Sequence, residues 1–519
     1  MSERVPVLIV GAGLSGLSTA VFLGLHGTRS LVVERHASTS SHPKARGQQQ
    51  HTMEALRLAG LEAEFTAASP KSRGFLLRIA ESASGPVFRE ILHDTFLPMG
   101  HLTPASAADA SQANAERILL ARARELGAEV RFGTTLESFE QDDAGVRAVL
   151  ADAGGNRIVQ ADYLVAADGH RSPIREQLGI GTHGRGTLGH SIHWLVRADL
   201  SHVVGDRQVM YYLQNPRLSG GTGVLASTDR ADEFVVGVGF DPRREGLADF
   251  TEQRRLEQIR LATGVPDLQV EILQANTTEI GMRVADRFSD GRVYLVGDAA
   301  HTMPPQGGMG GNTAVMDGFY LAWKLDAVLR GEAGPGLLDS HDAERRPVGE
   351  LIAENQYRNA LVRNLPDRAV EGDAPIEDPA LLMFGYRHNG AVVREPGDAG
   401  ELLEDPTRPT GRPGSRAPHV VLTTPTGEVS TIDLFGRGFV LLTGSAQWAR
   451  TAERVATELG VRLRPQLIGG ETTGDWTGPY GVREDGAVLV RPDRFIAWRS
   501  PGPGTAADLE KALRTVLDR

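Results

Sequence analysis

The N-terminal segment constrains the fold more than any other part of the sequence. Val5–Val10 is a nearly continuous apolar run, as expected of a strand that is buried on both faces. It leads into the glycine-rich turn Gly11–Gly16 and then into a helix predicted over Leu14–His26. A second apolar strand, Ser30–Val33, ends in the acidic residue Glu34. This strand–turn–helix–strand order predicts a parallel α/β sheet that binds a dinucleotide.

Each residue of the turn has a separate physical task in that prediction. Gly11 allows the tight turn, Gly13 lets the backbone approach a pyrophosphate, and Gly16 lets the helix pack against the strand. Leu14–Ser15 open the helix, whose first N–H groups and positive dipole end face the phosphates. Glu34 is placed to bond the adenosine ribose hydroxyls. The alternative, a glycine-rich turn in an ordinary α/β protein, is disfavoured because strand, helix and acid are in register.

Two further motifs follow predicted strands much later in the chain. The strand Asp162–Ala166 precedes Ala-Asp-Gly-His-Arg-Ser at Ala167–Ser172. The strand Arg292–Val296 precedes Gly-Asp-Ala-Ala-His-Thr-Met-Pro-Pro at Gly297–Pro305, which continues as Gln-Gly-Gly-Met-Gly-Gly-Asn through Asn312. Ligands of open α/β sheets bind at the carboxyl ends of strands, so both motifs are expected beside the first.

The third motif carries the most chemical information. Asp298 is expected to bond ribityl or ribose hydroxyls, and the glycines that follow it clear side chains from a loop lying along a flat ring. A helix is predicted from about residue 312 to 330. Its N-terminus at Gly311 and Asn312 would stabilise negative charge on such a ring. Asp168 in the second motif is either a cofactor contact or a plain turn former.

The three motifs, in this order and spacing, resemble those of the single-component FAD-dependent aromatic monooxygenases, the family of para-hydroxybenzoate hydroxylase. The resemblance covers nearly the whole chain. It implies FAD as cofactor, NAD(P)H as a transiently bound reductant and dioxygen as co-substrate. The implied reaction is hydroxylation of an electron-rich ring through a C4a-hydroperoxyflavin. The protein would supply position, electrostatics and exclusion of water.

The same resemblance assigns several site residues outside the glycine motifs. It places Arg46 at the ribityl and pyrophosphate region, Gln112 against the ribityl chain, and the segment of Asp168 on the pyrophosphate side. The alternatives are a surface loop charge for Arg46 and a plain helix-start residue for Gln112. Arg35, with its neighbour His36, is a candidate contact for the NADPH phosphate, so NADPH is expected over NADH. Both could equally be surface charges.

Two residues are the catalytic candidates. Pro305 lies in the Pro-Pro turn that leads into the glycine loop. Arg387 lies in Gly385–Arg387, a segment that the resembled polyketide hydroxylases bring to the substrate cavity. An always-charged guanidinium there would stabilise a phenolate and so accelerate electrophilic oxygen transfer. The alternative for Arg387 is a salt bridge between domains.

A substrate domain is predicted over residues 181–279. Ser191–Val196, Gln208–Leu213, Gly223–Ser227 and Glu233–Phe240 are predicted strands of an antiparallel sheet, which in the resembled family roofs the flavin. Its candidate substrate contacts are Tyr211, Tyr212 and Gln214. The alternative is that alternate aromatic residues simply pack the sheet.

The predicted architecture is therefore an α/β and α+β multidomain protein. It comprises a Rossmann-like FAD domain (1–180 and 280–395), the antiparallel-sheet substrate domain (181–279) and a thioredoxin-like C-terminal domain (396–519). That tail and phrases such as Val33–His36, Ser41–Gly47 and Gly385–Arg387 are most similar to hydroxylases of anthracycline and angucycline aglycones. Baeyer–Villiger insertion and oxidative decarboxylation on the same scaffold remain open. Ala343–Pro347 is expected to brace the FAD domain.

Composition excludes other classes of function. Cysteine is absent from the 519 residues, which excludes a disulfide reductase and thiolate metal sites, and no metal ligand set is predicted. The formal net charge is −11 without a basic cluster, so nucleic acid is not an expected partner. No membrane span or signal peptide is predicted, and a cytoplasmic enzyme, with a homodimer as one possible assembly, is expected. The competing class is a flavin-binding protein whose tail docks a partner.

Overall fold

The computed structural model describes residues 3–40, 45–71, 74–93, 98–364, 376 and 378–519. Part of the Ser41–Gly47 phrase therefore lies outside the described residues. The strands, in chain order, are β1 Glu3–Val10, β2 Ser30–Glu34, β3 Arg46–Gln48, β4 Phe75–Ala80, β5 Val87–His93, β6 Ala108–Ser111, β7 Glu129–Phe132, β8 Thr135–Asp142, β9 Gly145–Asp152, β10 Gly155–Ala166, β11 Thr182–Arg197, β12 Gln208–Gln214, β13 Thr222–Ser227, β14 Glu233–Phe240, β15 Glu271–Ala285, β16 Ser289–Asp290, β17 Val293–Leu295, β18 His301–Thr302, β19 Val421–Thr424, β20 Gly427–Ser430, β21 Phe439–Thr443, β22 Leu463–Leu467, β23 Ala487–Val490 and β24 Ile496–Ser500.

The helices, in chain order, are α1 Leu14–His26, α2 Gln50–Leu58, α3 Glu62–Ala68, α4 Gln112–Glu125, α5 Pro173–Gln177, α6 Ser201–Val204, α7 Glu252–Thr263, α8 Gly310–Leu329, α9 Ser340–Asn364, α10 Pro379–Phe384, α11 Ala446–Leu459, α12 Thr477–Tyr480 and α13 Ala506–Val516.

The first sheet is the predicted parallel sheet. Its parallel strands run in the order β17-β10-β1-β2-β7, and β16 pairs antiparallel with β17 at the edge. Val10, the last residue of β1, pairs with Val33 on one side and Ala166 on the other. The carboxyl ends of three parallel strands therefore meet at one edge, where the first two glycine motifs begin.

Helices α1 and α8 cross in very close contact on one face of this sheet. A Cβ added to Gly318 of α8 would lie 2.6 Å from Thr19 Oγ1 and 2.8 Å from Thr19 N of α1. Only glycine allows the two backbones to approach this closely. Leu17 and Val21 of α1 and Phe319 of α8 are buried in the same apolar cluster. The crossing brings the N-termini of both helices to the same side of the sheet.

The second sheet is larger than the predicted substrate domain. Its eight strands run β18-β15-β11-β14-β13-β12-β4-β5. Strands β4 and β5 thus join it from a part of the chain that is predicted to belong to the FAD domain. The added strand β4 pairs parallel with β12, from Gln208 opposite Phe75 to Leu213 opposite Ala80. Parallel partners need a long connection, and no local pattern marks which distant strand will be chosen.

The C-terminal unit has a mixed four-stranded sheet in the order β22-β21-β23-β24. Strand β21 pairs parallel with β22 and antiparallel with β23. The unit therefore combines both pairing directions in one sheet. Its apolar core extends into the FAD domain, because Trp323 of α8 and Leu337 belong to the same buried cluster. Among the described residues, no helix is both long enough and apolar enough to cross a bilayer.

Buried His341, at the start of α9, predicts a pH-dependent stability. Its Nε2 donates to the Leu295 carbonyl at 3.0 Å, and burial lowers its pKa from 6.5 to about 4. The unfolded chain therefore binds this proton at a higher pH than the folded chain does. The contribution to stability is complete above about pH 6.5 and declines as the pH falls towards about 4.

We expect the unfolding midpoint of the parent to fall more steeply over this pH range than that of His341→Gln. Urea unfolding at a series of pH values should show a difference in slope of about one proton per chain. The exposed His202→Gln is the matched control and should keep the parent slope. Equal slopes in the parent and His341→Gln would contradict the assignment.

Candidate flavin site

The three glycine motifs meet at one point, and the space around their glycines shows it. A Cβ added to Gly11, whose φ is +109°, would lie 2.2 Å from the carbonyl oxygen of Ala167 in the second motif. A Cβ on Gly297, whose φ is +60°, would lie 2.7 Å from Ser15 Oγ in the first motif. Both positions combine a left-handed backbone with a contact that only hydrogen permits. The motifs are thus mutually in contact at the sheet edge.

The N-terminus of α1 has the form of a phosphate-binding site. Gly13 caps the helix without any side-chain hydrogen bond. A Cβ built on Gly13 would meet a single described atom within 4 Å, Glu116 Oε1 at 3.9 Å. The backbone here is open to a ligand, in contrast to Gly16, whose Cβ would lie 1.9 Å from the Gly11 oxygen. Backbone N–H groups and the helix dipole at such an end favour an anion.

Glu34 lies at the end of β2 beside this turn. Its carboxylate accepts hydrogen bonds from Ala12 N at 2.9 Å and from His36 N at 2.9 Å, and His36 Nδ1 lies 2.6 Å away. Burial raises the pKa of Glu34, but these hydrogen bonds outweigh it and the pKa is lowered. The ionised carboxylate therefore shapes the glycine turn, and its contact with a ribose stays a prediction. Arg35 is exposed to solvent.

The second motif presents a buried oxygen for which no protein partner is described. Asp168 Oδ2 accepts a hydrogen bond from Ile174 N at 3.2 Å, while the buried Oδ1 has none. Burial raises the pKa of this carboxyl. Buried polar atoms in native proteins are normally hydrogen-bonded, so Oδ1 indicates a ligand hydroxyl or water. Ser172 caps the short helix α5, because its Oγ accepts from Arg175 N at 3.0 Å.

The third motif is fixed from behind by Asp317 of α8. Gly297 N donates to Asp317 Oδ2 at 2.9 Å, and His301 Nε2 lies 2.7 Å from the same oxygen. Arg345 Nε donates to Asp317 Oδ1 at 2.9 Å. Burial would raise the pKa of Asp317, but His301 and Arg345 hold it well below its usual range. Asp298, the next residue after Gly297, is exposed at the sheet edge where the predicted cofactor contact would be.

The loop after the third motif brings α8 to the site. The helix begins at Gly310, two residues before the predicted start. A Cβ on Gly311 would lie 3.2 Å from Leu14 Cδ1 and 3.4 Å from Ala45 Cβ, so the N-termini of α8 and α1 are neighbours. Pro305 is exposed, and its carbonyl accepts from Gly308 N at 3.1 Å within the turn.

Asn312 shapes this loop with its side chain. Its Nδ2 donates to Gly308 O at 2.9 Å and to Gly47 O at 3.2 Å, and its Oδ1 accepts from Gln49 N at 2.9 Å. The amide group is thus occupied by three backbone partners. A cofactor contact from this residue would have to come from its backbone.

Arg46 and Gln112 fix strand β3 beside the α8 N-terminus. Arg46 Nε donates to Asp109 Oδ1 at 2.8 Å, and its Nη2 lies 3.1 Å from Asp229 Oδ1 in the turn between β13 and β14. Its side chain is 17% exposed, which excludes a loose surface charge. Gln112 Oε1 accepts from Ala45 N at 3.1 Å, and its Nε2 donates to Glu116 Oε1 at 2.7 Å.

The substrate candidates of β12 lie on opposite faces of their sheet. Tyr211 is buried in the apolar cluster that contains Trp194 and Phe250, away from the FAD domain. This position favours the alternative in which Tyr211 packs the sheet. Tyr212 and Gln214 share the other face, where Gln214 Nε2 donates to the Arg363 carbonyl at 2.9 Å. The guanidinium of Arg363 lies 5.3 Å from the Tyr212 ring centroid.

Arg387 has the contacts of a structural ion pair. Its side chain is fully buried, and Nη1 and Nη2 donate to Asp398 Oδ1 and Oδ2 at 3.0 and 2.6 Å. The same two nitrogens also donate to the carbonyls of Glu401 at 3.3 Å and Pro413 at 2.7 Å. These contacts favour the structural alternative over stabilisation of a phenolate.

A buried polar cluster behind the glycine loop was missed by sequence reasoning. Nε2 of His51, OH of Tyr320 and OH of Tyr386 form a triangle with sides of 2.6, 2.7 and 3.0 Å. Together with Asp317 and Lys324, Tyr320 gives α8 a stripe of polar residues at a spacing of three and four. That spacing places the three polar residues on one face of the helix. It is the feature of the sequence that indicates a buried polar cluster.

Two cavities border this cluster. A small one, about 20 Å³, is lined by residues of the glycine loop and its surroundings, including Met309, Asn312, Arg345 and Tyr386. A larger one, about 270 Å³, lies between Phe384–Arg387 and the segment from Glu404 to His419. Tyr386 borders both. The larger cavity contains none of the predicted FAD contacts, although Arg387 lines it.

The chain matches two family models. An FAD binding domain model covers residues 4–356, and an aromatic-ring hydroxylase C-terminal model covers residues 410–519. Aklavinone 12-hydroxylase RdmE of Streptomyces purpurascens is 43% identical over 100% of this chain and 99% of its own length. A 4-methyl-5-nitrocatechol 5-monooxygenase of a Burkholderia species is 40% identical over 99% of this chain and 98% of its own.

A solved structure resembles the whole chain. The structure of aklavinone-11 hydroxylase, in a ternary complex with FAD and aklavinone, superposes with a TM-score of 0.95. It is 42% identical and covers 100% of both chains. Fold, site and relatives together define an FAD-binding hydroxylase of mixed α/β architecture. The chain belongs to the family of FAD-dependent aromatic-ring monooxygenases, which confirms the resemblance seen in its motifs.

Adding a single methyl group at Gly297 is expected to lower both stability and FAD binding. Gly297→Ala combines a positive φ with a contact 2.7 Å from Ser15 Oγ, so we expect unfolding free energy to drop by more than about 2 kcal/mol and FAD retention to be lost. The matched control is Gly27→Ala, which has φ +99° with nothing within 4 Å of the added Cβ. Gly27→Ala should lower the free energy of unfolding by about 1 kcal/mol and should retain FAD. Thermal unfolding and flavin absorbance after gel filtration measure both. Equal effects would contradict the packed arrangement.

Proposed function

We propose that this protein is an FAD-dependent monooxygenase that uses NADPH and dioxygen to hydroxylate a phenolic ring of an aromatic polyketide in antibiotic biosynthesis. The observation that carries the proposal is the meeting of the three motifs at one sheet edge, where Gly11 touches Ala167 and Gly297 touches Ser15. A dinucleotide laid across that edge reaches all three. The substrate class is supported by the similarity to aklavinone hydroxylases over the full length.

The residues present fit FAD. The open backbone at Gly13 and the α1 N-terminus would hold the pyrophosphate, and Glu34 the adenosine ribose. Asp168 Oδ1 is a buried acceptor that a ligand hydroxyl would satisfy, and Asp298 is exposed on the same edge. The bound flavin would supply oxygen activation and transfer.

This chain's own residues would hold the ring system and its charge. The N-terminus of α8 at Gly310–Asn312 would stabilise negative charge without a cationic side chain. Its position is fixed by Gly311 against Leu14 and by the Asn312 amide. Arg46, held by Asp109 and Asp229, would border the ribityl and pyrophosphate region of the cofactor. Tyr212 and Gln214 are the remaining candidates for substrate contact, on the sheet face turned towards the FAD domain.

Several finer assignments belong to the same proposal. The strand order β22-β21-β23-β24 supports a thioredoxin-like fold for the C-terminal unit, and the absence of cysteine leaves it no thiol chemistry. The domain limits 1–180 with 280–395, 181–279 and 396–519 stay predictions, and the β4–β5 hairpin is better counted with the substrate sheet. A homodimer and a cytoplasmic location also stay predictions.

The main competing substrate is a single-ring catechol or phenol. The specific observation that favours it is the 40% identity to a nitrocatechol monooxygenase over nearly the whole chain. Baeyer–Villiger insertion and oxidative decarboxylation are the alternatives in reaction type. The hypothesis that the tail serves mainly to dock a partner is less favoured, because its core is continuous with the FAD domain.

We expect the purified protein to oxidise NADPH faster when an anthracycline aglycone is added, and to place one atom from labelled dioxygen on a phenolic ring. Mass spectrometry of the product, with fragmentation, distinguishes the possible outcomes. Ring hydroxylation retains every carbon, decarboxylation loses carbon dioxide, and Baeyer–Villiger insertion places the label within a ring ester. Nitrocatechols are tested in parallel. Substrate-independent NADPH oxidation with no oxygenated product from either class would refute the proposal.

NADPH is expected to be the preferred reductant, with the exposed Arg35 as a contact for its phosphate. Arg35→Ala should reduce kcat/KM for NADPH by roughly tenfold or less while leaving NADH unchanged, since one exposed charge contributes about 1 kcal/mol. The exposed Arg157→Ala in the β9–β10 hairpin is the matched control. If the ratio of kcat/KM for NADPH to kcat/KM for NADH is the same in Arg35→Ala as in the parent, Arg35 is a solvated surface charge.

A further inference from the structure

The C-terminal unit inserts one hairpin turn into the FAD domain. The turn joins β23 to β24, and its residues Arg491, Asp493, Arg494 and Phe495 are at most 4% exposed. Arg494 has a positive φ of 71°. A non-glycine residue in this region is strained unless its surroundings hold it, so the turn is held by what it contacts.

Arg491 is the centre of a buried ionic cluster. Its Nη1 and Nη2 donate to the two carboxylate oxygens of Glu344 in α9 at 2.6 and 3.0 Å, and its Nε donates to Asp493 Oδ1 at 2.9 Å. Lys324 Nζ of α8 donates to Glu344 Oε2 at 2.6 Å. Trp323 Nε1 of α8 donates to Asp493 Oδ2 at 2.9 Å. The turn thus joins α8 to α9 by charge-assisted hydrogen bonds.

The cluster is balanced in charge. Glu344 and Asp493 are each matched by a cation, Lys324 and Arg491, and all four side chains are fully buried. With His388, the two carboxylates bring three ligand atoms within 4.8 Å of one another. Because the cations already neutralise these carboxylates, the group is an ion-pair network and not a metal site. Removing one cation would leave a net buried negative charge, which is strongly unfavourable.

Both helices that the turn holds lead to the flavin site. Helix α8 begins at Gly310 beside the glycine loop. On α9, Arg345 follows Glu344 directly and pairs with Asp317, which holds Gly297 N. Phe495 of the turn stacks on His388, with ring centroids 3.9 Å apart, and makes an edge contact with Tyr320 of α8 at 5.7 Å.

We propose that Arg491 is a positioning residue for the FAD site, delivered by the C-terminal unit, which sets α8 and α9 through Glu344. The inference rests on the proposed FAD site. It gives the C-terminal unit a task in cofactor binding that needs no thiol and no external partner.

The test compares full-length variants whose FAD affinity is measured by flavin fluorescence on the apoprotein, alongside thermal unfolding. Arg491→Met should lower both the unfolding midpoint and FAD affinity, the latter by about tenfold or more. The matched control is Arg499→Met. Arg499, from β24, donates to Glu395 Oε1 and Oε2 at 2.6 and 2.9 Å and to the Thr410 carbonyl at 2.6 Å, without contacting α8 or α9 in those bonds. It should keep parent FAD affinity.

The double variant Glu344→Gln/Arg491→Met separates positioning from charge balance. It leaves Lys324 and Asp493 as a neutral pair, so the unfolding midpoint should recover towards the parent. FAD affinity should stay reduced by about tenfold, because the tie between the turn and α9 is gone. The visible circular dichroism of bound FAD should also differ from the parent.

The possible failures are distinguishable. A double variant with parent FAD affinity and parent dichroism would overturn the positioning role while the proposed function stands. An Arg499→Met control that loses FAD affinity as strongly as Arg491→Met would overturn it too, since any weakening of the C-terminal unit would then suffice. A parent protein that binds no FAD would refute the proposed function and this inference with it.

Discussion

The buried carboxylate of Asp317 is the interaction on which the site depends. It lies in the middle of α8 and accepts a hydrogen bond from Gly297 N, the first backbone N–H of the third motif. His301 and Arg345 contact the same carboxylate. A carboxylate removed from water needs such partners, and here they come from the third motif and from α9. The strand end, the helix and the bracing segment Ala343–Pro347 therefore adopt one relative arrangement. The expectation that this segment braces the FAD domain acquires a physical cause in Arg345 and Glu344.

The same principle extends the FAD domain into the C-terminal unit. Glu54 of α2 pairs with Arg416 and lies 3.8 Å from Arg494, and Glu344 of α9 pairs with Arg491. Buried ion pairs are weak sources of net stability, but a buried charge without a partner is strongly unfavourable. They favour the arrangement in which each buried charge of the FAD domain meets its partner on the C-terminal unit. The C-terminal unit, which has no cysteine, thus contributes its shape and its charges to the FAD domain.

Local patterns predicted the elements of the site well. Helix α1 and strand β14 have the predicted bounds, and the strands before each glycine motif lie where the apolar runs place them. Side-chain orientation was harder. Tyr211 and Tyr212 are adjacent aromatic residues on one strand, and only the pairing of the sheet decides which one faces the FAD domain. Arg387 looked like a charge in a substrate segment, but Asp398, eleven residues on, folds back to neutralise it.

What the sequence by itself determined is the set of short-range requirements: which strands precede the glycines, which helix N-termini lack side chains, and which family shares that order. These follow from backbone geometry and from periodicity, which are properties of neighbouring residues. Only the tertiary structure decided that β4 and β5 extend the second sheet, that Asp317 reaches Gly297, and that Arg491 reaches Glu344. Those contacts join residues far apart in the chain. Their energy depends on burial and charge partners, which no local pattern contains.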